Sequence, residues 1–165
     1  MEDNKKVLDK FSASSLPQWN EIPDLDLYMD QVLSLLTRYL GTFSGSDDKG
    51  ITSSMINNYV KQGVMPAPQK KRYTRVHLVY LIMIYILKSA LTMVQIKSLL
   101  EDELATHSLE ELYTNFREMF HKTSKEVSMS YEKAKPDALS VTTCAAIHAY
   151  IEQSISSALC TVSAK

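Results

Sequence analysis

The sequence is poor in glycine, proline and cysteine, and its middle third lacks acidic residues. Only four glycines and five prolines occur among 165 residues. The long stretches between them carry apolar residues at a helical spacing of about 3.6, which predicts an all-α fold. The only cysteines, Cys144 and Cys160, match no Cys-x-x-Cys motif. They are therefore interpreted as reduced structural thiols rather than as a disulfide framework or a zinc site.

Long hydrophobic runs are absent as well. The longest, Leu78 to Leu87, spans ten residues, whereas about 20 are needed to cross a bilayer. The first residues are charged and then rich in serine, with no apolar stretch typical of a secretory signal or a lipid anchor. We therefore expect a cytoplasmic protein without membrane contact.

The missing acids define the most unusual segment of the chain. Residues 49–100 contain eight basic residues and no acidic one, a charge of +8. Residues 1–48 hold four basic and nine acidic residues (−5), and residues 101–165 hold six basic and ten acidic residues (−4), which together give the net charge of −1. Such asymmetry indicates a surface that binds a polyanion.

Motifs for catalysis are not found. The chain has no HExxH pair, no glycine-rich phosphate loop and no nucleophile elbow, so we expect neither an enzyme nor a metal or cofactor site. The histidines lie on separate segments, and each is interpreted as a lone surface or core residue; they are His77, His107, His121 and His148. Residues 101–103, all acidic, are interpreted as a charged helix end.

The first 100 residues predict an arm followed by helices. Residues 1–22 are expected to form a loosely packed arm, in which Leu16, Trp19 and Ile22 could cover part of the core. A helix is predicted after Pro23, with Asp24 as its cap, ending at Gly41. Its inward face would carry Leu25, Tyr28, Val32, Leu35, Leu36 and Tyr39. The polar residues 44–50 would then link it to the next helix.

A short helix is predicted from about Thr52 to Gln62, closed by Gly63 in a left-handed cap. Pro66 and Pro68 force an extended backbone after it. The basic segment 69–73 can then form only a loop or a small wing. Half of the positive charges of residues 49–100 thus fall on this short helix and on the loop that follows it.

The remaining segments are predicted to be helical. Thr74 would cap an apolar central helix at about 76–89, and a second helix would begin at Leu91-Thr92 with Val94, Ile96, Leu99 and Leu100 inward. Ser108 and Glu111 form a capping box that begins a third, and a separate helix is expected at about 122–133. The last would run from Asp137 to Cys160, with Leu139, Cys144, Ile147, Ile151, Ile155 and Leu159 inward.

Two families resemble parts of this sequence. Residues 51–66, ITSSMINNYVKQGVMP, resemble the recognition helix and wing entry of MerR-family winged-helix regulators. Residues 71–74, the helix near His77-Leu78, and residues 91–100 resemble that family's wing strand and following helices, in the same order. The chain also resembles the bacterial domain-of-unknown-function family 1836, in which Met-Ile-Asn-Asn-Tyr and Lys-Lys-x-Tyr are typical.

Together with the segment pattern above, these resemblances imply an all-α fold in three parts: an arm at 1–22, a MerR-like winged helix-turn-helix at 23–100, and a helical C-terminal extension at 101–165. They imply a DNA-binding transcriptional regulator in which Ile56 is buried, Tyr59 reaches a phosphate and Gly63 ends the recognition helix. The wing would present Lys70, Lys71, Arg72 and Tyr73. The chain departs from the MerR pattern at Asn57, usually Arg, and at Val60, usually Glu.

The residues themselves also fit DNA. A helix of about three turns fits the major groove, and an asparagine amide can pair with the N6 and N7 atoms of adenine. The basic wing would contact phosphates. The candidate DNA-contacting residues are Thr52, Ser53, Asn57, Asn58, Tyr59, Lys61, Lys70, Lys71, Arg72, Tyr73 and Arg75.

Alternatives remain for each of these features. Asn57 and Asn58 could be solvated or satisfied locally, residues 70–72 could be a solvated loop, and Tyr73 could belong to the core. The last helix, with its small residues Ala145, Ala146, Ala149, Ser154 and Ala158, could form a homodimer or complete the core. The alternative function is a non-catalytic protein-interaction module that no longer binds DNA. The sequence identifies no operator and no effector.

Overall fold

The structure, a computed structural model, describes residues 2–13, 15–41, 43, 50–133 and 141–163. Within these ranges the chain is helical and has only isolated β-bridges, which confirms the all-α expectation. A short 3-10 turn at Trp19–Glu21 accompanies seven α-helices. These are α1 Glu2–Ala13, α2 Met29–Leu40, α3 Ser53–Lys61, α4 Arg75–Leu87, α5 Met93–Leu104, α6 Leu109–Lys133 and α7 Val141–Ser163.

Helix α4 is the centre of the fold. It packs against α2 and α6, while α5 packs against α6 and α7. Its apolar residues surround the helix axis, and Leu78, Leu81 and Ile82 are fully buried, as expected for a helix covered on all sides. No helix within the described ranges is long and apolar enough to span a membrane.

The N-terminal segment is packed against α6. Residues 2–13 form α1, which lies along α6, and Leu16 and Ile22 are fully buried. The Tyr113 hydroxyl donates a hydrogen bond to the Pro17 carbonyl at 2.8 Å, and Arg117 Nε donates to the Leu16 carbonyl at 2.8 Å. The expectation of a loosely packed arm is therefore wrong for these residues, because α6 supplies both apolar cover and hydrogen bonds. The proposed domain boundaries stay a prediction.

Replacing Tyr113 with phenylalanine tests this attachment. The ring stays in the core, but the Pro17 carbonyl loses its donor, which is expected to lower the free energy of unfolding by about 1–3 kcal/mol. Urea denaturation of both proteins measures the change. The matched control is Thr114→Val, which removes an exposed hydroxyl from the same helix and is expected within about 0.5 kcal/mol of the wild type. Equal stability of the two variants would contradict the role of this hydrogen bond.

Helix α2 begins later than the sequence predicts. It starts at Met29, because the backbone of Leu27 pairs with Tyr73: each residue donates its N–H to the other's carbonyl, at 2.8 and 2.9 Å. Asp24 therefore does not cap the helix. Its carboxylate Oδ2 lies 3.7 Å from the Arg75 guanidinium Nη1. Leu25 and Tyr28, predicted inward, are exposed. The predicted end at Gly41 is confirmed.

Helix α6 is longer than predicted. Glu111 N–H donates to the Ser108 hydroxyl at 3.2 Å, and the Glu111 carboxylate accepts from Ser108 N–H at 2.8 Å, which confirms the capping box. The predicted separate helix at about 122–133 is the second half of α6, since no glycine or proline interrupts residues 109–133.

The predicted inward face of α7 instead points outward, and on α5 a single predicted inward residue is exposed. On α7, Ile147, Ile151, Ile155 and Leu159 are about half exposed or more. On α5, Val94 is 79% exposed, although Ile96 and Leu100 are buried as expected. The linker at 44–49 and the start of the last helix at Asp137, with Leu139, fall outside the described residues. The two cysteines are half-buried and not bonded to each other.

Candidate nucleic-acid interface

Helix α3 is amphipathic and presents a polar face on which a lysine is the one charged residue. The Thr52 hydroxyl caps it by accepting a hydrogen bond from Met55 N–H at 3.3 Å. Ile56 and Tyr59 are buried in the core, so the opposite face is exposed. That face is polar and carries no acid; it consists of Ser53, Ser54, Asn57, Asn58 and Lys61.

The end of α3 is fixed by a left-handed turn. Gly63 has φ of +68°, as predicted. Gly63 N–H donates to the Val60 carbonyl and Val64 N–H donates to the Tyr59 carbonyl, both at 3.0 Å. The buried side chain of Val64 holds the turn against the core. A residue with a Cβ would be strained here, so the glycine sets the direction in which the chain leaves the helix.

Residues 69–72 form a tight hairpin, which is called the wing below. Gln69 and Arg72 pair, with Arg72 N–H donating to the Gln69 carbonyl at 2.8 Å. The central residues, Lys70 and Lys71, have φ of 49° and 60°. Positive φ at both positions is the pattern of a type I′ turn, which favours asparagine and glycine. Two lysines therefore occupy a strained turn and are both exposed at its tip.

The wing is attached to the body at its base. Arg72 places its guanidinium carbon 3.6 Å from the ring centroid of Tyr28, a cation–π contact. The next residue, Tyr73, is buried and pairs with Leu27 through the backbone. Its ring lies edge-to-face with the His77 ring, and the two ring centroids are 5.4 Å apart. The hairpin is therefore held close to the N-terminus of α2.

His77 lies beneath the wing. Thr74 N–H donates to His77 Nδ1 at 3.0 Å, so the ring must accept at this atom and its proton belongs on Nε2. The side chain is buried, and Nε2 has no hydrogen-bond partner among the described residues. Burial lowers the pKa of the His77 imidazole, and the nearby Ala67 carbonyl opposes this shift.

Folding stability should therefore depend on the protonation of His77. Since its pKa is lower in the folded chain than the ordinary value of 6.5, the neutral ring stabilises the fold above that pH. This contribution is lost as the pH falls below 6.5 and through the folded pKa. We expect His77→Gln to lower the free energy of unfolding at about pH 7.5, and the gap to the wild type to narrow towards about pH 5. A constant gap in urea denaturation would contradict this, and exposed His121→Gln is the control.

The structure brings eight of the predicted residues to the surface. Seven are exposed and Arg72 is half-buried; the seven are Thr52, Ser53, Asn57, Asn58, Lys61, Lys70 and Lys71. Ser54, exposed on the same face of α3, was not predicted, although its position four residues before Asn58 is a usable signal. Tyr28 was not predicted at this site either, because its role depends on a fold contact with the wing.

Three predicted residues face the protein instead. Tyr59 and Tyr73 are buried. Arg75 donates from Nε to the Ile22 carbonyl at 2.9 Å and lies 3.7 Å from Asp24. We assign these three side chains to the fold and leave them out of the proposed interface.

The described residues thus form a helical bundle that carries a short polar helix and a lysine-tipped hairpin. A family model described as "Domain of unknown function (DUF1836)" matches residues 17–122, more than half of the chain. The protein belongs to this family. No curated protein and no solved structure matches the chain.

Proposed function

We propose that the protein is a DNA-binding transcriptional regulator with a MerR-like winged helix-turn-helix. The observation that carries the proposal is the pair of exposed elements, α3 and the wing, within a segment that has no acidic residue. DNA repels carboxylates and attracts cations, so a surface built this way favours the phosphate backbone. No part of this surface resembles a catalytic site, and we propose no enzymatic activity.

In this proposal α3 enters the major groove. Asn57 and Asn58 are exposed at its centre and can pair with base edges, each good bidentate pair contributing about 1–3 kcal/mol of discrimination. Thr52, Ser53 and Lys61 lie towards its ends, where hydroxyl and ammonium groups can contact phosphates. The buried Ile56 and Tyr59 fix which face is presented.

The wing would contact the backbone beside the groove. The turn holds both lysines at positive φ, a conformation that costs free energy in residues other than glycine. Asparagine and glycine would cost less free energy in this turn, so the feature that lysine adds at its tip is positive charge. The contact between Arg72 and Tyr28 restricts the hairpin's movement, so the two ammonium groups would meet the phosphates with less loss of entropy.

The proposed active form is a homodimer through α7. One helix-turn-helix reads one half-site, so useful specificity requires two copies on a palindrome. Ile147, Tyr150, Ile151 and Ile155 form an exposed apolar stripe at helical spacing on α7. The small residues Ser154 and Ala158 lie beside it and would allow a second α7 to approach closely. A twofold axis beside α7 would bury this stripe against its copy.

Binding to random duplex DNA across a salt series tests the function. We expect weak binding to the whole pool at low salt, with affinity falling linearly in log–log form as salt rises. Repeated selection should then enrich a palindrome. A protein that stays monomeric and binds no duplex at low salt would contradict the proposal.

The alternative function, a protein-interaction module, keeps the same surface for an acidic protein partner. The asparagine at position 57, where MerR regulators usually have arginine, motivates it. It predicts no duplex binding at any salt concentration, together with stoichiometric capture of an acidic protein that is lost when Lys70 and Lys71 are neutralised.

A further inference from the structure

A second site lies far from the interface, in a cleft between α1, the end of α4, α6 and α7. The cleft has a volume of about 940 Å³, within the range of small-molecule sites. Its walls are mainly aromatic and aliphatic. Its aromatic lining side chains include Phe11, Phe43, Tyr85, Phe120 and Tyr131.

Contacts between the walls hold the cleft in shape. The rings of Phe43 and Phe120 pack edge-to-face, with their centroids 4.9 Å apart. The rings of Phe43 and Phe11 are tilted against each other, with their centroids 6.1 Å apart. The Ser124 hydroxyl donates to the Phe11 carbonyl at 2.9 Å, which joins α6 to α1. The Tyr131 hydroxyl lies 3.1 Å from His148 Nδ1, which joins α6 to α7. Since three helices are joined around it, the cleft exists before any ligand enters.

Among the residues that the structure describes, two charged side chains line the cleft, and they differ in their surroundings. Lys88 is half-buried, with its ammonium 5.0 Å from the ring centroid of Tyr85. The ion pairs found among the described residues do not include Lys88. Glu152 is exposed, so water solvates its carboxylate. An anion beside Lys88 would pair with a cation that has already lost part of its water, the situation in which a charged hydrogen bond contributes most.

We propose that this cleft binds an amphipathic monocarboxylate with a long apolar body, of the fatty-acid class. The apolar chain would lie among the aromatic walls, and the carboxylate would accept from Lys88 at the end of α4. The same helix begins beneath the wing, about 20 Å away for its 13 residues. The ligand would thus lie at the end of α4 away from the wing, where the proposed DNA contacts are.

Calorimetric titration of the full chain with dodecanoate, dodecanol and dodecylamine tests the proposal without DNA. We expect saturable binding with dodecanoate tightest, and Lys88→Met to weaken dodecanoate about tenfold while changing dodecanol little. Equal binding of all three, unchanged by Lys88→Met, would overturn the carboxylate assignment. No saturable binding would overturn the site.

A second pair of variants separates the cleft from general surface binding. Ala145 lines the cleft and Ala146, its neighbour on α7, does not. Ala145→Trp should fill the space and abolish dodecanoate binding, whereas Ala146→Trp should bind like the wild type. Equal binding by both variants would contradict the location, whatever the outcome of the DNA experiments.

Discussion

Changing Lys70 to Asn and Lys71 to Gly is expected to make the plot of log affinity for duplex DNA against log salt concentration less steep. The slope should change by about two, since each phosphate contact contributes about 0.9. Asn-Gly is the pair that a type I′ turn prefers, so this double variant removes both charges while favouring the observed hairpin. Affinity at low salt should fall for every duplex, because phosphate contacts carry no sequence information. Fluorescence anisotropy with labelled duplexes over a salt series measures both quantities.

The matched control neutralises two lysines elsewhere. Lys122 and Lys125 are exposed on α6, in the acidic part of the chain. Changing both to alanine removes the same net charge without touching the wing, so the slope should stay close to that of the wild type. If both double variants lowered the slope equally, the effect would come from net charge, and the wing would not be the contact.

The second large effect is expected on α7. Replacing Ile151 and Ile155 with glutamate places two carboxylates in the proposed apolar interface, where each would be buried beside its copy in the second chain. We expect a monomer in analytical ultracentrifugation and a loss of about 10²-fold or more in affinity for the selected palindrome, because two linked half-sites no longer bind together. Binding to an isolated half-site should remain.

Gln153→Glu is the control for this variant, since Gln153 is exposed on the same helix outside the stripe. It adds a negative charge but should leave assembly and palindrome binding unchanged. A wild-type protein that is monomeric at all concentrations, or a double variant that still assembles, would contradict dimerisation through α7.

Local signals in the sequence predicted local structure. Gly63 and the Ser108–Glu111 capping box were predicted because each depends on residues within four positions. The start of α2 could not be predicted in this way, since it depends on the pairing of Leu27 with Tyr73. The N-terminal helix was missed because its stability comes from packing against α6, which no pattern within residues 1–22 reveals.

The candidate interface was likewise predictable where it depends on nearby residues and not where it depends on distant ones. The exposed face of α3 follows from the burial of Ile56 and Tyr59, a periodicity visible in the sequence. The role of Arg75 was not visible, because its partner, the Ile22 carbonyl, is 53 positions away. The outward stripe of α7 reads as a core face in the sequence, since apolar spacing is the same whether a helix packs on its own chain or on a copy.

The most direct test of the central proposal is a ¹H–¹⁵N NMR titration of the 18.7 kDa protein with a selected duplex. The proposal predicts that the backbone amides of residues 52–62 and 69–72 shift, and that the side-chain amides of Asn57 and Asn58 shift with them. Shifts confined to other helices, or a spectrum unchanged by duplex DNA at low salt, would contradict a DNA interface formed by α3 and the wing.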